Sequence, residues 1–207
     1  MSTLDQLIMP RLRDYWIRLA LRRVHYADRS DKLNRLYCVE DPWRMGSARE
    51  QARFAWTNRL IAEHLPPLET ILEIGCGEGH QSQYLAHACR QLYGIDVSRR
   101  AVRRAERRCP AGKFAVGDPQ SAPLAHMPAE VDLVTACEVI YYAKDVPAFL
   151  DRLSRLGRAC LVTYYGGQAP ALEPYFAVVD HCRQDRFRFG EVEWNAVWWH
   201  NRHDHDK

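Results

Sequence analysis

Three carboxylates in this sequence close short apolar runs: Glu73 in ILEIGCGEGH (71–80), Asp96 in YGIDVS (93–98) and Asp118 in VGDPQSAPL (116–124). Between the first two come Gly75, Gly77 and Gly79, with His80 directly after them. A strand that ends in glycines and enters a helix leaves backbone N–H groups and a helix N-terminus facing open space, where side chains would otherwise block a ligand. Something with nucleotide character suits such a crevice. A dinucleotide loop asks for G-x-G-x-x-G, but the sixth position counted from Gly75 is His80, so the glycine that packs strand against helix is missing and a pyrophosphate fits poorly. The acids describe a different ligand. Asp96, nineteen residues after Gly77, stands where a carboxylate accepts hydrogen bonds from both ribose hydroxyls of an adenosine. Asp118 is placed to accept one from the exocyclic amine of adenine. Adenosine without a pyrophosphate is what these positions describe.

Bringing three acids to one edge takes parallel strands. The predicted strands are 70–74, 91–95, 113–116, 131–137 and 159–164, with helices 80–90, 98–109 and 145–156 between them and a proline-containing loop over 118–130. This alternation gives an α/β fold, a Rossmann-like parallel sheet with helices on both faces. After residue 165 it stops, and 181–201 reads as an antiparallel C-terminal strand pair, turning near Gly190-Glu191 and added at the sheet edge. Trp194, Trp198 and Trp199 on the last strand read as core packing there or as an interface between chains. Helices open the chain. Leu12, Tyr15, Trp16, Leu19 and Val24 recur at helical spacing, and 31–39 gives a shorter helix. Ser47 and Glu50 then form an S-x-x-E capping box, after which Phe54, Asn58, Ile61 and Leu65 follow one face until Pro66-Pro67. The expected organisation is an N-terminal helical lid over 1–66, one core domain over 67–201 and a tail over 202–207. The histidines at its end, His200, His203 and His205, read as part of a frayed terminus, and no metal site is expected.

Composition narrows the classes. With 207 residues, 47% of them hydrophobic, and no long linker, the chain can bury one sizeable core. No apolar run approaches the ~20 residues of a membrane span, and MSTLDQLIMPRLRDYW lacks the basic start and apolar stretch of a signal peptide, so a cytoplasmic protein without a membrane partner is expected. Seven cysteines stand singly with no CxxC pair, as reduced and mostly buried thiols would. A net charge of +3 is too mild to indicate a nucleic-acid partner. Arginines 99, 100, 103, 104, 107 and 108 nevertheless line one side of a helix opposite Ala101, Val102, Ala105 and Cys109. Such a stripe is a solvated face or the seat of an acidic partner.

Four stretches together, LEIGCGEG (72–79), YGIDVS (93–98), VGDPQSAPL (116–124) and DLVTACEVIYY (132–142), resemble the class I S-adenosylmethionine-dependent methyltransferases in order and spacing. Within them, YCVEDPWRMGSAREQARFAWTNRLI (37–61) with EVIYY (138–142) resembles the NodS-type N-methyltransferase group, which methylates an amino-sugar precursor. The resemblance implies S-adenosyl-L-methionine as cofactor. It implies that Gly75, Cys76 and Gly77 line its amino-acid part, with Glu73 bonding the backbone beneath or the methionine amine. By the same likeness Asp96 holds the ribose, Val97 packs on the adenine and Asp118 with Pro119 holds the adenine edge. Glu138 and Val139 are implied near the methyl group, and Tyr37 and Trp43 as walls of a cover.

Methyl transfer from a sulfonium is a single displacement, so the protein has mainly to aim a lone pair, exclude water and favour loss of charge at sulfur. Glu138, Tyr141 and Tyr142 supply one strand end with groups to orient an acceptor or take its proton, and His80 is a further candidate base. No histidine stands out as obligatory. The sequence therefore favours a small-molecule acceptor methylated on the nitrogen of an amine or amino sugar, ahead of O-methylation of a hydroxyl or carboxyl. An RNA or protein methyltransferase, which the arginine stripe alone suggests, and a non-catalytic cofactor-binding module are the remaining alternatives. Either a monomer or a homodimer is compatible.

Overall fold

A computed structural model of the chain describes residues 34–118 and 127–201. The expected helix over 11–27, Pro119 and the tail beyond residue 201 lie outside the described residues. Ser47 starts the first long helix among the described residues, α1 (Ala48–His64), by accepting the Glu50 N–H on its hydroxyl at 3.5 Å. Only half of the expected capping box forms. Glu50 turns its carboxylate to Arg53 at 2.9 Å instead of to the Ser47 N–H, which donates to the Arg44 carbonyl at 3.0 Å. Trp56, Leu60, Ile61 and Leu65 from α1 and its end pack in one apolar cluster with Ile71, Leu133 and Leu161 of the sheet. α1 is thus a layer of the core. The apolar face of α1 is wide enough to cover strands.

Among the described residues seven strands, β1 (Leu68–Ile74), β2 (Cys89–Asp96), β3 (Lys113–Val116), β4 (Val131–Cys137), β5 (Gly157–Tyr165), β6 (Arg183–Phe189) and β7 (Val192–His200), form one sheet in the order β3-β2-β1-β4-β5-β7-β6. β1 to β5 are parallel, in register Ile71↔Leu92 and Ile71↔Leu133 around the centre. β7 slots in antiparallel between β5 and β6, so β6 at the edge runs with the other strands. Successive residues serve opposite faces: Ile71, Leu133 and Leu161 face α1, while Leu72, Val134 and Val162 face α4 (Val146–Leu156) and α5 (Ala169–Phe176). Trp194 and Trp198 join the first cluster and Trp199 the second, all three buried within the single chain, so this aromatic group is core. His200 belongs to β7, opposite Ala159, and is not part of the tail.

The predicted helix over 80–90 is a single turn, α2 (Ser82–Leu85). Past it the hydrogen bonds span three residues instead of four, from the His87 N–H to the Tyr84 carbonyl and from the Ala88 N–H to that of Leu85, because the chain must already pair with Leu68 at Cys89. The arginine helix, α3 (Arg99–Arg108), begins where Ser98 accepts the Ala101 N–H at 3.3 Å and buries Ala101, Val102 and Ala105. From β1 the chain proceeds outward through β2 and β3, then returns to place β4 on the other side of β1. The carboxyl ends of β1 and β4 therefore flank a switch point, where a parallel sheet leaves a crevice.

Candidate active site

The residues at that switch point enclose a crevice of about 680 Å³. Its floor is the glycine loop. Gly75, Gly77 and Gly79 have φ of +71°, +53° and +79°, which side-chain-bearing residues rarely adopt. A Cβ on Gly75 would lie 2.5 Å from Val139, and one on Gly77 3.1 Å from the Tyr37 hydroxyl. A Cβ on Gly79 would meet the Ala105 Cα of α3 at 2.8 Å. Gly79 thus supplies the close loop–helix packing that the missing sixth glycine seemed to forbid. The loop is pinned from β2, where the Ile95 carbonyl accepts the Gly75 and Cys76 N–H groups at 2.8 and 2.9 Å.

Asp96 ends β2 buried, its Oδ2 accepting the Gly77 N–H at 3.0 Å and its Oδ1 the Ser98 N–H at 2.8 Å. Burial pushes its carboxyl up to about 6, against the pull of those two N–H groups. Val97 and Asp118 line the same side, Asp118 at the exposed mouth. Glu73 takes a different partner from those expected. It accepts a hydrogen bond from the Ser82 hydroxyl of α2, and burial pushes it up to about 8, with Ser82 and Arg53 opposing.

The opposite wall comes from the end of β4. Glu138, at φ +60°, accepts hydrogen bonds from the Tyr141 hydroxyl at 3.0 Å and the Thr163 hydroxyl at 3.4 Å. Burial raises its carboxyl above the usual range, with Arg53 and Tyr141 working against that. Tyr141 also accepts the Tyr165 N–H. Burial and the neighbouring Glu138 hold its hydroxyl protonated, so it acts as a donor rather than a base. Tyr142 lines the crevice beside it, ring edge to face at 6.5 Å. His80 also lines the crevice, its Nε2 3.8 Å from the carboxylates of Asp41 and Glu78. Tyr37 and Trp43 line the crevice from the segment preceding α1. Residues 164–176, from the end of β5 through α5, are not part of its lining.

Sequence reasoning missed Arg53. Its side chain is 2% exposed yet lines the crevice, donating from Nε to Glu50 at 2.9 Å and from a terminal nitrogen to Gln81 at 3.1 Å. Burial works against its charge, but Glu138 and Glu50 outweigh it and hold the guanidinium charged. A signal existed: Arg53 directly precedes Phe54 and lies four before Thr57, on the buried side of α1. Among the described residues, no His, Cys, Asp and Glu side chains are grouped to hold a metal ion, and no helix is long and apolar enough to cross a membrane.

The arrangement fits an adenosyl group: an N–H-held acid at the tip of β2, a loop free of side chains, and a charged wall at β4. Known proteins agree. The family described as "Methyltransferase domain" matches residues 72–159. "Nodulation protein S" of Sinorhizobium fredii (strain NBRC 101917 / NGR234) is 34% identical over 120 residues, 56% of this chain and 54% of that protein. Malonyl-(acyl-carrier protein) O-methyltransferase of Pseudescherichia vulneris is 27% identical over 140 residues, 62% of this chain and 55% of that one. The chain spans about half the length of these relatives. The crystal structure of N-methyltransferase NodS from Bradyrhizobium japonicum WM9, in complex with S-adenosyl-L-homocysteine, superposes with a TM-score of 0.67 at 20% identity, covering 84% of this chain and 99% of that one, and so shares the fold. The chain is thus similar to methyltransferases over residues 72–159 and shares the fold of a solved N-methyltransferase.

Proposed function

We propose that the chain transfers a methyl group from S-adenosylmethionine to the nitrogen of a small amine or amino sugar. The observation that carries this reading is Asp96, buried and aimed into the crevice beside Gly77, in the position of a ribose-binding carboxylate. Asp96 would hold the ribose, Val97 the adenine face and Asp118 with Pro119 its edge. Gly75, Cys76 and Gly77 would line the amino-acid part. Bound there, the cofactor supplies an electrophilic methyl group on a sulfonium. The chain's own residues must then present a neutral lone pair and keep water out. Glu138, fixed by Tyr141 and Thr163, orients an amine and receives its proton, and the charged Arg53 keeps that carboxylate available. The faces of Tyr37, Trp43, Tyr141 and Tyr142 favour a cation in the crevice by about 0.5–2 kcal/mol each.

Amine acceptance is supported by the Glu138 carboxylate at the crevice wall, and a NodS described as an N-methyltransferase is among the structural neighbours. O-methylation is the second reading. A Glu138 carboxyl raised by burial is a stronger base than a solvated one, and an O-methyltransferase is among the relatives. A labelled-methyl assay over amines, amino sugars, phenols and carboxylates, with the methylated atom identified, separates the two. Cofactor binding without transfer to any acceptor would instead indicate a binding module. Asp96→Ala should weaken S-adenosylhomocysteine binding by about 1.5–3 kcal/mol in calorimetry. An unchanged affinity would remove the assignment of the crevice.

A further inference from the structure

The acid between the second and third glycines, Glu78, has its side chain 2% exposed and makes contacts that the methyl-transfer chemistry does not use. Its Oε2 accepts the Asp41 N–H at 2.9 Å, and its Oε1 pairs with the Arg104 guanidinium of α3. Arg108, one turn further on, donates to the Glu78 carbonyl and stands 3.8 Å from its carboxylate. The same arginines grip the chain that Glu78 grips. Arg104 donates to the Val39 carbonyl at 3.2 Å, Arg108 lies 3.8 Å from Glu40, and Arg100 donates to the Asn34 carbonyl at 3.0 Å. All of these ties converge on the segment that carries Tyr37 and Trp43 over the crevice.

That segment would not hold its shape alone. Asp41 and Arg44 have φ of +45° and +57°, a conformation costing about 1–2 kcal/mol per residue without glycine. The Asp41 carboxylate stabilises the turn from within, accepting the Met45 and Gly46 N–H groups at 2.6 and 3.1 Å. Burial alone would raise the Glu78 carboxyl, but nearby His80 and the hydrogen bonds from Arg104 and the Asp41 N–H hold it below its usual value. The latch is therefore charged, and its partners are on the two elements that must stay together for the crevice to be covered.

We infer that Glu78 is a positioning residue of the cofactor site, an ionic latch through which the glycine loop and α3 hold residues 37–46 closed over the crevice. The inference rests on the adenosyl reading of that crevice. Bound cofactor then leaves only when the latch opens. Three of the six arginines in the stripe, Arg100, Arg104 and Arg108, thereby serve as a lock on the cover.

The test uses the full chain and two readouts: amide hydrogen exchange without ligand, and the dissociation rate of S-adenosylhomocysteine. Glu78→Gln retains an acceptor for the Asp41 N–H but loses the charge. Arg104→Gln, on the outer side of α3, loses the partner and leaves the loop intact. Each should raise exchange over 37–46 and speed dissociation by about tenfold, with β4 and β5 as protected as before. The double variant should be no faster than the faster single variant, as for two ends of one contact. Unchanged exchange over 37–46 and unchanged dissociation in a folded Glu78→Gln protein would overturn the latch, as would fully additive effects in the double variant. If Glu78→Gln fails to fold, Arg104→Gln decides alone by the same two measurements. If the unaltered chain binds no S-adenosylhomocysteine, the adenosyl reading fails, and exchange over 37–46 still decides the latch.

Discussion

At the residue scale, Glu73 and Asp96 show how a binding crevice sets acids against their surroundings. Both carboxyls are buried and raised, Glu73 to about 8 and Asp96 to about 6. An acid raised in the folded state keeps its proton through a range in which the unfolded chain has lost it. Stability is then full below the unfolded value and falls as pH rises toward the folded one. For Glu73 that window runs from about 4.5 to about 8. Glu73→Gln keeps an oxygen to accept the Ser82 hydroxyl but carries no proton to lose. Its stability relative to the unaltered chain should therefore improve between pH 4.5 and 8, by on the order of a few kcal/mol, as read by urea unfolding at both ends of the window. A gain that does not change with pH would assign the effect to packing. The strand-end acids were legible because a carboxylate closing an apolar run has few structural uses. Arg53 was not, because an arginine on a helix is ordinarily solvated, and only the fold reveals that Glu50 and Glu138 meet it from two sides.

At the element scale, the strands were legible to within a few residues, since each is an apolar run bounded by turn residues. β3 and β4 keep the predicted limits and β1, β2 and β5 extend past them. The helix over 80–90 was not legible, because its polar and small residues suit a helix locally and only the pairing of Cys89 with Leu68 cuts it short. The glycine loop was legible as a ligand loop but not as a packing device. Gly79 and Gly190 separate those roles. Both have positive φ, at +79° and +59°, yet a Cβ on Gly79 would strike Ala105 at 2.8 Å while one on Gly190 would meet nothing within 4 Å. Gly190→Ala should cost about 1 kcal/mol, the price of the conformation alone. Gly79→Ala should cost about 3 kcal/mol, adding the displacement of α3 from the loop. Equal losses in thermal melts of the two variants would show that α3 yields freely at Ala105.

At the scale of the whole molecule, the two ends of the described chain are joined on one face of the sheet. α1, which carries Glu50 and Arg53 to the crevice, is held from behind by the β6–β7 hairpin. Trp56 donates its Nε1–H to Asp185 at 3.0 Å and stacks on Phe187 at 5.3 Å, and His64 stacks on Trp198 at 4.8 Å. Phe187 in turn stacks on Trp194 at 6.0 Å, and Trp194 lines the crevice itself. The last strands thus fix the angle of the helix that delivers a buried charge to the site, although they lie at the far end of the sequence from it. Phe187→Ala should cost about 1–2 kcal/mol of unfolding free energy, since the ring is half-buried. In a Trp56→Ala background its stacking partner is already gone. The same change should then cost less by about 0.5–1.5 kcal/mol, the coupling of an aromatic pair. Urea unfolding of the two single variants and the double variant measures that difference. Strict additivity would mean that hairpin and helix are seated independently, and that the position of Arg53 owes nothing to the end of the chain.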